Sequence, residues 1–123
     1  MRDSSATKLN RAFALMRQKN VLVLRDVTCP RGRFAKNLCT VAEEKEKAAL
    51  ETNPNIIGSV FYANGGTKDF LAGKDLYLNH GPAGREMDAS IGEIVAECCR
   101  EAGLGVEWNG TYFRSVTVRR FNI

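Results

Sequence analysis

Leu9, Ala12, Phe13 and Met16 recur at i, i+3, i+4 and i+7, the stripe of an amphipathic helix. Ser4 or Ser5 stands where it can cap the start, and Lys19-Asn20 suits the end. Val21-Leu22-Val23-Leu24 is a short apolar run rich in β-branched residues, which predicts a buried strand reaching about Val27. The cluster Cys29-Pro30-Arg31-Gly32 breaks it. Beyond lie Phe34, Leu38, Val41, Ala42, Ala48 and Ala49 at helical spacing, with Thr40 and Glu43 in capping-box register. Glu43-Glu44-Lys45-Glu46-Lys47 reads as that helix's exposed face, and Asn53-Pro54 stops it.

Ile56 to Ala63 has strand composition, Asn64-Gly65-Gly66 breaks it, and Thr67 to Ala72 allows one helical turn. Leu76-Tyr77-Leu78 predicts a third strand, closed by His80-Gly81-Pro82 as a loop. The clearest helix follows: Ser90 and Glu93 have capping-box spacing, and Ile91, Ile94, Val95, Cys98 and Ala102 form its apolar stripe. Gly103 offers the left-handed terminal position, with Leu104 as the apolar residue beyond it. Val106 and Trp108 then alternate into the Asn109-Gly110 turn signal, and Val116 and Val118 alternate on the way back, predicting a terminal β-hairpin. The order predicts one α+β domain over residues 1–123: a two-layer sandwich with a mixed sheet of about five strands and helices on one face.

With 123 residues, 44% hydrophobic and 26% charged, the chain can bury a core without metal or disulfide staples. No apolar run approaches the ~20 residues of a membrane span, and no apolar stretch follows the charged start as in a secretory signal. The expectation is a cytoplasmic protein with no membrane partner. Its four cysteines, Cys29, Cys39, Cys98 and Cys99, are therefore expected to be reduced. The adjacent Cys98 and Cys99 diverge by about 100° on a helix, and Cys29 and Cys39 lack zinc-knuckle spacing. No metal or cofactor is expected. Gly65-Gly66-Thr67-Lys68 lacks the full phosphate-loop pattern, and Asp69, Asp75 and Asp88 lack a metal-binding spacing.

The net charge of +4 is unevenly spread: residues 1–36 hold nine Lys/Arg against two acids, a net of +7, and the remainder nets −3. Such a basic end steers a molecule toward nucleic acid or an acidic protein face. Arg31-Gly32-Arg33-Phe34 and Arg119-Arg120-Phe121 combine a phosphate-binding cation with a ring able to stack on a base. Arg25, Arg31, Arg33, Lys36, Arg119 and Arg120 are thus the candidate partner- or nucleic-acid-binding residues. No catalytic constellation stands out. The one histidine, His80, is a turn residue in this reading, and a Cys–His nucleophile would require Cys29 or Cys39 beside it. Trp108 is assigned to the core.

The segment Glu93-Ile94-Val95 through Gly103-Leu104-Gly105-Val106-Glu107-Trp108-Asn109-Gly110, with Val116-Thr117-Val118, resembles a family of small bacterial domains of unknown function. Val60-Phe61-Tyr62 and Leu76-Tyr77-Leu78 extend the likeness over residues 58–118. The resemblance implies a fold and no assigned activity. The resulting expectation is a non-enzymatic interaction domain, a small regulator or inhibitor of a protein partner, of the kind phages and mobile elements deploy against host systems. The alternatives are nucleic-acid binding through the basic N-terminal third, and a Cys/His-dependent enzyme.

Overall fold

The computed structural model describes residues 5–28, 40–83, 88–112 and 114–119. Cys29, Arg31, Arg33, Phe34, Lys36, Cys39, Arg120 and Phe121 lie outside the described residues, as do the parts of the sequence-based expectations that fall on them. The elements run α1 (Ser5–Gln18), β1 (Val21–Val27), α2 (Thr40–Thr52), β2 (Gly58–Ala63), α3 (Gly66–Leu71), β3 (Leu76–Pro82), α4 (Ser90–Glu101), β4 (Gly105–Glu107) and β5 (Val116–Arg119). They form an α+β fold around one open mixed sheet of order β1-β2-β3-β5-β4. β1 and β2 are parallel; the other neighbours are antiparallel, and β4 with β5 makes the expected hairpin.

The α1 stripe behaves as its spacing dictates: Leu9, Ala12, Phe13 and Met16 are its buried residues. They share a core with Val21, Val60, Tyr62, Leu76, Leu78, Val116 and Val118 from the sheet and Ile91, Val95, Cys98 and Cys99 from α4. α4 ends as predicted. Gly103 adopts φ +92, its N–H donates to Arg100 O, and the Leu104 N–H donates to Cys99 O at 2.9 Å, a complete Schellman motif.

Four local expectations are corrected. Ser90 and Glu93 form no capping box; Ser90 is already helical, and Asp88 Oδ1 accepts from both the Ser90 N–H (2.9 Å) and its hydroxyl (2.6 Å). A carboxylate two residues upstream satisfies the first-turn donor more directly than a back-reaching glutamate. β3 runs on through His80, Gly81 and Pro82, so His80 is a strand residue. Its ladder with Gly58, Ser59 and Val60 of β2 overrides the turn propensity of the Gly-Pro pair.

The remaining two corrections concern placement. Trp108 lies one residue beyond β4 and is only half-buried, because the connection is longer than a two-residue turn, covering residues 108–115. Finally, α2 departs from the one-face arrangement that α1 and α4 follow. It packs on the opposite face of β1 and β2, where Ala42, Val27 and Phe61 form a second small core. Glu46, in the run read as exposed, is buried there and accepts a hydrogen bond from the Ser59 hydroxyl. A bulge makes this possible: the β1 register shifts between Leu24 and Val27 around Asp26, whose φ is +53, moving Val27 to the α2 side.

Candidate functional site

With α2 restricted to β1 and β2, the same face of β3, β5 and β4 is left exposed among the described residues. Tyr77 of β3 stands opposite Thr117 of β5, and Thr117 opposite Glu107 of β4. Strand alternation aims Leu76 and Leu78 into the core and Tyr77 out of it, so Tyr77 is 58% exposed. Two cavities meet at this ring. One, of about 490 Å³, is lined by Asn64, Gly66, Asp69, Lys74, Asp75 and Tyr77, among others. The other, of about 520 Å³, is lined by Asp75, Tyr77, Glu107, Trp108, Arg114 and Ser115, among others. Tyr77 and Asp75 belong to both, so a single groove runs from α3 across β3 to the 108–115 loop.

Arg119 bridges the groove's carboxylates. Its Nε lies 3.4 Å from Asp75 Oδ2, and its Nη1 pairs with Glu107. The groups are exposed, so the pairing orients the side chains more than it stabilises the fold. The lining carries Asp69, Asp75 and Glu107 with Lys74 and Arg114, and Arg119, paired to two of these acids, brings the groove close to neutral.

Of the basic candidates, the described ones do not come together. Arg25 lies on the α1 side of β1, its guanidinium 4.8 Å from the Phe13 ring centroid and its Nη2 donating to Asn10 Oδ1 at 3.2 Å. Arg119 lies on the opposite face, with two strands between its own β5 and β1. Both guanidiniums are engaged within the fold, and no surface gathers the two. Arg31, Arg33, Lys36 and Arg120 lie outside the described residues.

Among the described residues, the histidine and the cysteines are sealed. His80 is 3% exposed, its Nε2 donates to Arg114 O at 2.8 Å, and burial holds its pKa below 6.5, opposed by that hydrogen bond. Cys98 and Cys99 are free and buried. Burial pushes both thiols up, Cys99 to about 12. Since the thiolate is the nucleophile, Cys99 at about pH 8 holds only about 10⁻⁴ of its reactive form. Iodoacetamide at that pH is therefore expected to leave Cys98 and Cys99 unmodified in the folded protein and to modify both in denaturant, read by peptide mass. Rapid native-state labelling of either would contradict the packing of α4. Among the described residues no group of three His, Cys, Asp or Glu side chains is placed to hold a metal ion, and no helix is long and apolar enough to cross a membrane.

Sequence reading missed Tyr77 and Asp75. The Leu76-Tyr77-Leu78 alternation does mark Tyr77 as facing away from the core, but nothing local indicates that none of the described helices lies over this face. A family described as "Domain of unknown function (DUF6891)" matches residues 2–122, well beyond the 58–118 segment of the sequence resemblance. No curated protein and no solved structure matches the chain.

Proposed function

The chain belongs to this family of domains of unknown function, and on that premise we propose that it is a non-enzymatic interaction domain, a small regulator or inhibitor that docks a protein partner on the uncovered face of β3, β5 and β4. The observation that carries the reading is Tyr77: a large amphipathic residue, 58% exposed on a rigid central strand, between two concave surfaces. Tyrosines in such settings are over-represented among the few residues that dominate interface energy. They lose little side-chain entropy on binding. The balanced charges around the ring suit the mixed rim of a protein interface better than a polyanion, which selects a surplus of cations. The sealing of His80, Cys98 and Cys99 supports the same reading, because a nucleophile–base pair must reach its substrate.

The test compares the immobilised chain with its Tyr77→Ala variant in an extract of the native host, followed by affinity measurement on the purified partner. Tyr77→Ala is expected to change stability by no more than about 0.5 kcal/mol and to weaken binding by about 30-fold or more, an interface hot-spot effect. Lys45→Ala on the exposed side of α2 serves as the control with unchanged affinity. Capture that is abolished by nuclease and high salt, and indifferent to Tyr77→Ala, would replace this reading with nucleic-acid binding.

A further inference from the structure

The chain has one histidine and one tryptophan, and they touch. The His80 and Trp108 rings meet edge to face, centroids 5.4 Å apart and planes at 86°. Both are tied to one atom: the Arg114 carbonyl accepts from His80 Nε2 at 2.8 Å and from Trp108 Nε1 at 3.1 Å. A carbonyl only accepts, so the Nε2 carries the ring's proton and Nδ1 presents a lone pair. That Nδ1 is buried with no hydrogen-bond partner among the described residues.

Among the described residues, the surroundings of the ring are apolar or uncharged. Val60 of β2 stands opposite it, α4 contributes Gly92, and the loop contributes Trp108 and the Arg114 carbonyl. The nearest charged side chains in sequence on the packed elements, Glu93 and Arg114, are both exposed. Burial and the Arg114 carbonyl are the influences on its protonation, and no charged side chain enters. Among the described residues the ring therefore has no carboxylate to accept a second N–H. Protonation at Nδ1 would bury an unpaired charge, unless the half-buried indole above it lifts and admits water.

The loop these rings hold is the wall of the groove. Residues 108–115 supply Trp108, Asn109, Arg114 and Ser115 to its lining. Within the loop, Trp108 Nε1 donates to Thr111 O and Asn109 Oδ1 accepts from Thr111, and at its end the Ser115 hydroxyl donates across to Asn79 Oδ1 of β3 at 2.9 Å.

We propose that His80 is a proton-operated latch: neutral, it holds the 108–115 loop against the sheet through the Arg114 carbonyl, and protonated it releases Trp108 and reshapes the groove beside Tyr77. The sign follows from linkage. The latched state takes up a proton less readily than an exposed imidazole, whose pKa is 6.5. As pH falls below that value the released state protonates first, and the balance moves toward release by up to about tenfold per pH unit, until the latched state protonates as well. Above about pH 7.5 the latch is closed and insensitive to pH.

The consequence for a partner rests on the interaction reading above; the release does not, and it is tested on the full chain alone. From about pH 7.5 to 4.5, the single indole reports the loop and the single imidazole reports the proton. Indole emission and N–H exchange give the first, ring nitrogen chemical shifts the second, with far-UV circular dichroism as a check on the fold. The expected result is an Nε2–H tautomer at neutral pH, then red-shifted emission and faster indole N–H exchange with a midpoint below 6.5, before any loss of ellipticity. His80→Gln, which keeps an N–H donor and cannot titrate in this range, is expected to abolish the transition. The wild-type readouts decide the matter even if that variant does not fold. A neutral Nδ1–H tautomer, or an indole signal constant until the fold itself is lost, overturns the latch. Release of Trp108 in a chain whose partner ignores Tyr77→Ala would sink the interaction reading and leave the latch standing.

Discussion

Replacing Phe13 with alanine is expected to lower the unfolding free energy by about 3–5 kcal/mol, the range for truncating a fully buried phenylalanine. Phe13 is 0% exposed at the centre of the α1 stripe, and its ring stacks on Tyr62 with centroids 5.9 Å apart and planes 11° from parallel. Tyr62 is itself buried in β2, so α1 and the sheet are joined through this pair. The alanine removes the transferred ring, the stacking and the seat of the Arg25 guanidinium, and it leaves a cavity between elements too rigid to close it. A domain of this size typically has only 5–15 kcal/mol to lose. A fall in Tm of roughly 12–20 °C should accompany the change, at about 4 °C per kcal/mol. Urea titration of the wild type, Phe13→Ala and Phe13→Leu measures it, the leucine costing about 1.5 kcal/mol or less. A loss below about 1 kcal/mol for the alanine would mean that α1 is not seated on Tyr62 as described.

That prediction is available from the sequence because helices write their burial locally. The spacing of Leu9, Ala12, Phe13 and Met16 names the buried face of α1, and Gly103-Leu104 marks the end of α4; each depends only on neighbours within two turns. Errors arise where a distant partner decides. His80 sits in a segment rich in turn residues, and it becomes the fifth residue of β3 because β2 pairs with it. Continuing the Leu76, Leu78 alternation by one step does place His80 on the core face, a signal outweighed by the Gly-Pro pair that follows it. Glu46 belongs to a charged run that reads as solvated, and its burial follows from the packing of α2 on the sheet, where the Ser59 hydroxyl donates to it.

The groove was hidden for a related reason. Tyr77, Glu107 and Arg119 come from three strands, with Asp75 just before the first of them, and the order β3-β5-β4 puts β4 at an edge and inserts the last strand, β5, between two earlier ones. No spacing rule in one sequence encodes that insertion. The charge asymmetry, by contrast, is plain in the sequence and misleads about place. Arg25 and Arg119 are both candidate cations, yet the pleat and the sheet order set them on opposite faces, each with a partner inside the fold.

Gly92→Ala is expected to destabilise the fold by about 1–3 kcal/mol, the usual cost of overpacking, although glycine to alanine inside a helix ordinarily gains up to about 1 kcal/mol. Gly92 is the third residue of α4 and its backbone is where the two rings rest. A Cβ there would stand 2.6 Å from His80 Cε1 and 2.6 Å from Trp108 Cζ2, closer than carbon atoms approach without displacement. The rings do not have equal freedom to yield. His80 is fixed in the ladder of β3 and is 3% exposed, whereas Trp108 is half-buried at the margin of the core. The indole should therefore move outward, and with it the Arg114 tie of the 108–115 loop. The variant should show at neutral pH the red-shifted emission and rapid indole exchange that the wild type reaches only under acid, with little further response to pH. Glu97→Ala, on the exposed side of the same helix, should stay within about 0.5 kcal/mol of wild type and keep the native emission. Chemical denaturation followed by emission spectra measures both effects in one series. A Gly92→Ala protein more stable than wild type, with unchanged emission, would show that α4 does not press on these rings, and the latch would lose its floor.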